Sequence, residues 1–273
     1  MSASLVLRET KNGVTTLVMN NPRKLNGWTV PMMDAVKREL AAARDDIDTK
    51  VVILSGVGPY YCAGVNLAGA IKLGHPKKLR RIICDQNEAL FGLFINFPKP
   101  VIVAVNGPAI GGAVTSATLC DAIIASENAT FSTPFAKLGV AREGCSSVYF
   151  ERLMGRENAE RMLGTEGFVP TGREALEMGL VSQVVPHDSL MGTAQSLAEQ
   201  WVSEGRCRTY RKGITREELV AINASESQRV ADSFLASTFI KGQAEFLFRK
   251  KKWGPAMMFY SLWCTRPLWS RLT

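Results

Sequence analysis

The sequence has only two histidines, His75 and His187, in 273 residues. Neither has a visible Ser or Asp partner, so both read as surface residues. The six cysteines (Cys62, Cys84, Cys120, Cys145, Cys207, Cys264) are scattered, and none forms a C-x-x-C pair. A zinc site or a disulfide framework is therefore not expected, and a reducing compartment is. No stretch approaches the roughly 18 apolar residues of a membrane-spanning helix. The start, "MSASLVLRETKNGV", lacks the basic flank and long apolar run of a secretory signal. There is no internal repeat and no low-complexity tract. Neither a G-x-G-x-x-G fingerprint nor a G-x-x-x-x-G-K-[ST] loop occurs, so nucleotide phosphates are not cradled in those ways.

What is present is ordinary globular composition, 46% hydrophobic and 21% charged. The formal net charge is +8 and the pI about 9.3. Such a surplus suits an anionic partner: nucleic acid, an acidic membrane, or a polyphosphate ligand such as a nucleotide or coenzyme A.

Apolar patterning divides the chain. "GVTTLVMNNPRKLNG" reads as a strand and an Asn-Asn-Pro turn. In "VPMMDAVKRELAAARDDIDT", Met33, Val36 and Leu40 recur at helical spacing. "KVVILSGVG", "VIVAVNG" and "DAIIAS" are short β-branched runs of the kind buried in parallel sheets. "HPKKLRRI" is a basic loop or helix start before the helical "NEALFGLFINF". "RENAERML" and "TGREALEMG" read as short helices, and "LVSQVV" as a strand. Alternating strands and helices predict an α/β domain. Beyond about residue 190 the pattern becomes helical and charged. The expected division is a core over 1–195, a helical segment over 196–253 and an aromatic tail over 254–273.

Two loops place glycine straight after an apolar strand: "VVILSGVGPYYCAGVNLAGA" and "VIVAVNGPAIGGAVTSA". Glycine allows close backbone approach, and a strand-to-helix turn exposes free N–H groups. Brought together, two such loops could aim two amides at one oxygen. Tight turns and close helix packing would equally explain each loop alone. The stretch "GVAREGCSS" (139–147) holds one carboxylate, Glu143, beside Arg142 and Cys145. Taken alone it reads as a solvated charge, and Cys145 as a small packing residue rather than a nucleophile. "KKLRR" reads as a solvated basic face.

Together and in order, "PRKLNGWT", "YYCAGVNL", "KPVIVAVNGPAIGGA", "CDAIIASENATFSTP" and "TGREALEMGLVSQVV" make the chain resemble the crotonase, or enoyl-CoA hydratase and isomerase, superfamily. The resemblance covers roughly residues 5 to 250. It implies a spiral of ββα turns with a helical C-terminal trimerisation segment, assembled as a trimer or hexamer. The substrate would be an acyl-CoA thioester, with no separate cofactor, no metal and no nucleic acid. The oxyanion hole would use the N–H groups of Val65, after Gly64, and of Gly112, after Ile110 and Gly111. Lys24, Ala63, Asn66 and Leu67 would follow the CoA path, and Phe246 and Lys250 would reach CoA phosphates of the same or a neighbouring subunit.

Hydratases of that family carry two glutamates, at positions that here hold Thr115 and Phe135. Without them water is neither held nor deprotonated. A single glutamate at the position of Glu143, commonly in "PEGCSS", marks the peroxisomal-type monofunctional Δ3-Δ2-enoyl-CoA isomerases, which act in fatty acid β-oxidation. The expected activity is therefore double-bond transposition by Glu143, with Thr115 and Phe135 lining the substrate. Arg142 replaces the usual proline, and so near a cation would depress the Glu143 pKa unless it points away. Asn66 stands where Asp is common. The alternatives are a non-catalytic acyl-CoA-binding module, or another crotonase activity such as hydratase or hydrolase. A peroxisome-like organelle or the mitochondrion is implied by the resemblance alone. The ending "SRLT" approaches a peroxisomal tripeptide without completing one.

Overall fold

The computed structural model describes residues 4–65 and 75–270, so Asn66 and Leu67 lie outside the described residues. Eight strands are present among those residues: β1 (Val6–Lys11), β2 (Val14–Met19), β3 (Val51–Gly56), β4 (Val101–Val105), β5 (Ala109–Ile110), β6 (Ala122–Ser126), β7 (Phe131–Ser132) and β8 (Gln183–Val185). The first five helices are α1 (Val30–Asp45), α2 (Pro76–Ile95), α3 (Gly112–Thr118), α4 (Phe135–Leu138) and α5 (Ser146–Met154). Then come α6 (Arg156–Leu163), α7 (Gly172–Glu177), α8 (Leu190–Ser203), α9 (Arg216–Phe234), α10 (Ser237–Arg249) and α11 (Trp253–Trp269).

The main sheet runs β1-β2-β3-β4-β6-β8. All its pairings are parallel except β1 with β2. β4 and β6 are buried at every position, as expected of parallel strands covered on both faces. α8 packs on one face over Ile53, Ile102 and Ile124, crossing residue 195 as one continuous helix. The strand β1 is absent from the apolar pattern because only Val6 of its six residues is buried. Its signal is Asn12-Gly13, where both residues have positive φ (53° and 80°), the requirement of a two-residue hairpin turn. In α1, Met32, Val36 and Leu40 enter the core, while Met33 turns into a cleft. "HPKKLRRI" and "NEALFGLFINF" form one helix, α2, with Pro76 in its first turn. His187 is not unpartnered, because its Nδ1 lies 3.1 Å from Ser126 Oγ.

The helical segment forms a second core. Phe234, Leu235 and Phe239 are buried within the chain by α2, α9, α10 and α11, whereas Phe246 of α10 remains exposed. The aromatic tail is the helix α11, which seats Ala256 and Phe259 fully in this core.

Asp121, buried at the end of β4's neighbour strand, joins the sheet to the segment leading into α9. Its carboxylate accepts from Val101 N at 2.8 Å and Thr209 N at 2.7 Å, and pairs with Arg208. Arg208 also donates to the carbonyls of Phe94, Phe97 and Leu119. Asp121→Ala would strand a buried guanidinium, so it should cost about 3–5 kcal/mol of stability. A denaturation midpoint within error of the parent's would refute this.

Candidate active site

The two glycine loops meet edge to edge. Ile110 N donates to Cys62 O at 3.0 Å, and Cys62 N to Pro108 O at 3.3 Å. Gly64 has φ +79°, and a Cβ there would lie 2.5 Å from Ile110 O, so only glycine permits this approach. "PRKLNGWT" supplies the brace. Asn26 is fully buried, and its side-chain amide donates to Val57 O and Tyr60 O, both at 2.9 Å. Trp28 N then binds Gly64 O at 2.8 Å. Cys62 Sγ donates to Asn26 O and accepts from Gly64 N, and burial pushes its thiol up to about 12. The N–H groups of Val65 and Gly112 have no partner among the described residues. Gly112 opens α3, where the first amides are necessarily free.

Beside them lies a cleft of about 1200 Å³, lined among others by Trp28, Met33, Ala63, Gly64, Val65, Leu90, Ile110, Gly111, Gly112, Phe135 and Glu143. Glu143 is 7% exposed. A Cβ on Gly112 would lie 3.2 Å from its Oε1, so the carboxylate and the free amide share one corner. Oε2 accepts from Asn87 Nδ2 at 2.8 Å, and Ser227 Oγ donates to Asn87 Oδ1 at 2.9 Å. That second bond fixes the amide so that its NH2 faces the acid. Oε1 has no donor among the described residues. Burial raises the Glu143 pKa to about 7; the Asn87 bond opposes the rise, and the charge of Glu226 adds to it. Arg142 takes no part, because its guanidinium points to Glu160 at 2.6 Å.

A second buried carboxylate holds the loop in place. Glu226 of α9 accepts from Cys145 N and Ser147 N, each at 2.7 Å, capping α5 from across the fold. Gly144 (φ +65°) packs so tightly that a Cβ would meet Thr115 Oγ1 at 2.5 Å. Burial pushes the Cys145 thiol up, and its Sγ donates to Leu219 O, which suits a packing residue.

The structure thus brings together Glu143, Val65, Gly112, Ala63, Gly64, Ile110, Gly111 and Phe135. Thr115 is fully buried beneath the Glu143 loop rather than lining the cleft. Lys24 is exposed beside the loop that carries Ala63. Phe246 and Lys250, at the far end of α10, are exposed and do not line the cleft. Of "KKLRR", Lys78 lines the cleft, whereas Arg80 pairs with Asp232 at 2.6 Å. Sequence reasoning missed Asn87, Glu226 and Ser227. Their signal was faint: polar residues on the apolar faces of α2 and α9.

A carboxyl group whose pKa rises on folding favours the fold fully below its unfolded value of 4.5, and this contribution fades as pH climbs through about 7. Glu143→Gln should therefore stabilise the protein at pH 8 by up to roughly 2–3 kcal/mol, and by little at pH 4. Thermal melts at both pH values measure this. A variant destabilised equally at both would show that Glu143 is not held as an acid out of water.

The enoyl-CoA hydratase/isomerase family profile matches residues 9–253. The chain is 34% identical over 250 residues to human enoyl-CoA delta isomerase 2, covering 89% of this chain and 63% of that protein. It therefore spans less than two thirds of that relative's length. It is 32% identical over 264 residues to mouse "Enoyl-CoA delta isomerase 3, peroxisomal", covering 90% of this chain and 79% of that one. A crystal structure of enoyl-CoA hydratase/isomerase from Pseudoalteromonas atlantica T6c aligns with TM-score 0.75 and 27% identity, over 90% of this chain and 97% of that chain. From its braced glycine loops to its C-terminal helices, the chain belongs to the enoyl-CoA hydratase/isomerase, or crotonase, family.

Proposed function

We propose that this protein is a Δ3-Δ2-enoyl-CoA isomerase with Glu143 as its proton shuttle. The observation that carries the reading is the corner shared by Glu143 Oε1 and Gly112, with Glu143 the one buried carboxylate lining the cleft among the described residues. In a 3-enoyl thioester, the carbonyl and the double bond both acidify C2. Glu143 Oε1 takes the C2 proton, and the electron pair of that bond spreads onto the thioester oxygen. The N–H groups of Val65 and Gly112 meet the charge there; one such donor is typically worth about 2.7–4 kcal/mol. C4 then takes the proton from Glu143, leaving the double bond between C2 and C3. Proton count and charge balance, and no water enters.

The other features fit this cycle. A pKa of about 7 suits a group that must both take and return a proton near neutrality. Asn87 occupies Oε2 and leaves Oε1 to work. Trp28, Leu90 and Phe135 supply apolar wall on the cleft. No second acid stands at Thr115 or Phe135 to activate water, which counts against the hydratase alternative.

Glu143→Gln should cut isomerase turnover by about 10²–10⁴-fold while leaving acyl-CoA affinity within a few fold. The parent's acidic limb of kcat/KM should fall near pH 7. Assays with 3-enoyl-CoA esters, scored for 2-enoyl and 3-hydroxyacyl products, decide it. A variant that retains activity removes Glu143 from the chemistry. A parent that binds acyl-CoA but turns over no 3-enoyl ester is a binding module, and a 3-hydroxyacyl product marks a hydratase.

We further propose that the chain forms a homotrimer or hexamer. Trp253, Met257 and Tyr260 lie along one exposed face of α11, and Phe246 is exposed on α10. These side chains offer apolar surface that a second copy of the chain would cover. Light scattering of the eluted protein should give three or six chain masses; a monomer at micromolar concentration would overturn this.

A further inference from the structure

Glu226 of α9 has no exposed surface and does not line the main cleft, yet it grips the loop that carries Glu143. We propose that Glu226 is a positioning residue for the proton transfer: it stays ionised, and its charge and its hold on residues 145–147 keep Glu143 the member of the pair that takes and returns the proton. The proposal rests on the isomerase reading above.

Three observations support it. The first is how differently the two acids are solvated. Both Glu226 oxygens accept amide hydrogens, Oε2 from Cys145 N and Oε1 from Ser147 N, each at 2.7 Å. These amides open α5, and a helix N-terminus favours an anion. Glu143 has one donor among the described residues, the Asn87 amide on Oε2. Of two neighbouring buried acids, the better-solvated one keeps the charge and the other keeps the proton.

The second is the strained turn between them. Cys145 is a non-glycine residue in the left-handed region, with φ 65° and ψ 7°, and Gly144 before it has φ 65°. Such a conformation persists only where its surroundings over-determine it. The bond from Cys145 N to Glu226 is a hold from outside the loop. Ser146 Oγ donates to Glu143 O at 2.7 Å, so the backbone of the acid follows the turn.

The third is the field at Glu143. Arg142 turns away to Glu160 at 2.6 Å, and Asn87 of α2 is neutral. The Cys145 thiol is pushed up by burial and stays neutral, and Arg229, one turn along α9, acts on Glu226 itself. Burial raises the Glu143 carboxyl, and the Glu226 charge raises it further. Burial raises Glu226 as well, but its bonds to Ser147 and Cys145 and the charge of Arg229 all oppose the rise.

The test reads kcat and KM for a 3-enoyl-CoA ester on both sides of pH 7, in the parent, Glu226→Gln and Glu226→Asp. At pH 8, where Glu143 is ionised in all three, Glu226→Gln should lose about 10²-fold in kcat, the scale of an ångström of misplacement, with KM within a few fold. Its acidic limb should also move below the parent's, because the charge that held the proton on Glu143 is gone. Glu226→Asp keeps the charge without the reach, so it should lose kcat while its limb stays near the parent's. An unmoved limb in Glu226→Gln overturns the proposal. Carboxyl ¹³C resonances of labelled glutamate give a second measurement, which needs neither turnover nor a Glu226 variant that folds. Glu143→Gln should remove the titration near pH 7 and leave Glu226 ionising at lower pH. If the titration near pH 7 survives in Glu143→Gln, Glu226 carries the proton and the proposal falls. The expected assignment without turnover of any 3-enoyl ester would sink only the isomerase reading. Turnover with an unmoved limb would sink only the role of Glu226.

Discussion

The site depends on one carboxylate kept out of water. An ionised acid in apolar surroundings is costly, so a buried Glu143 either finds donors or takes a proton. It has one donor, Asn87, which is enough to fix its direction and too little to keep its pKa ordinary. The remaining work is mechanical. The backbone after Glu143 is pinned by Glu226, which satisfies two amides at the start of α5. A loop tied only by its own turns would let the side chain swing toward solvent and recover hydration. Here the tether comes from α9, far along the chain, so the position of the acid is a property of the tertiary fold.

The same helix serves the acid a second time. Ser227, next to Glu226, holds the Asn87 carbonyl oxygen and so presents the amide NH2 to Glu143. Two adjacent residues of α9 therefore set both the backbone and the hydrogen-bond partner of one side chain. This couples the C-terminal helical segment to a buried carboxylate that lies about 80 residues earlier in the sequence. Across the cleft, the glycine loops are set independently, by Asn26, Cys62 and the Trp28–Gly64 bond. Base and amides belong to separate braces that meet along α3, at Gly112 and at Thr115 beneath Gly144.

Much of this was legible in the residues. The buried strands, the two glycine loops and the amphipathic helices followed from apolar periodicity and from where glycine falls. Glu143 could be singled out only through the family resemblance, since a lone glutamate in a loop looks like surface. Asn87, Ser227 and Glu226 were illegible for a different reason. Each is one polar residue on an apolar helix face, and what it bonds lies on another element, so no local pattern reports it. The strand β1 was hidden by its exposure, although Asn12-Gly13 marked its hairpin. The tail read as an unplaced aromatic run because composition cannot reveal that α10 offers α11 a surface to pack on.

The packing around Thr115 explains why this site has one acid. Thr115 sits on α3 with no exposed surface, directly under Gly144. Its hydroxyl is near enough to forbid even a Cβ on that glycine, and Phe91 closes the other side at 2.7 Å from the same point. A glutamate at 115 would have to place a whole carboxylate beyond the point where threonine ends in a hydroxyl and a methyl. That room exists only if the Gly144 turn lifts, and lifting it breaks the bonds from Cys145 and Ser147 to Glu226. The two-acid arrangement of hydratases and the pinned single acid here are thus alternative packings of the same ground. On the proposed isomerase reading, the choice between adding water and moving a proton is made beneath the cleft, at a residue that does not line it.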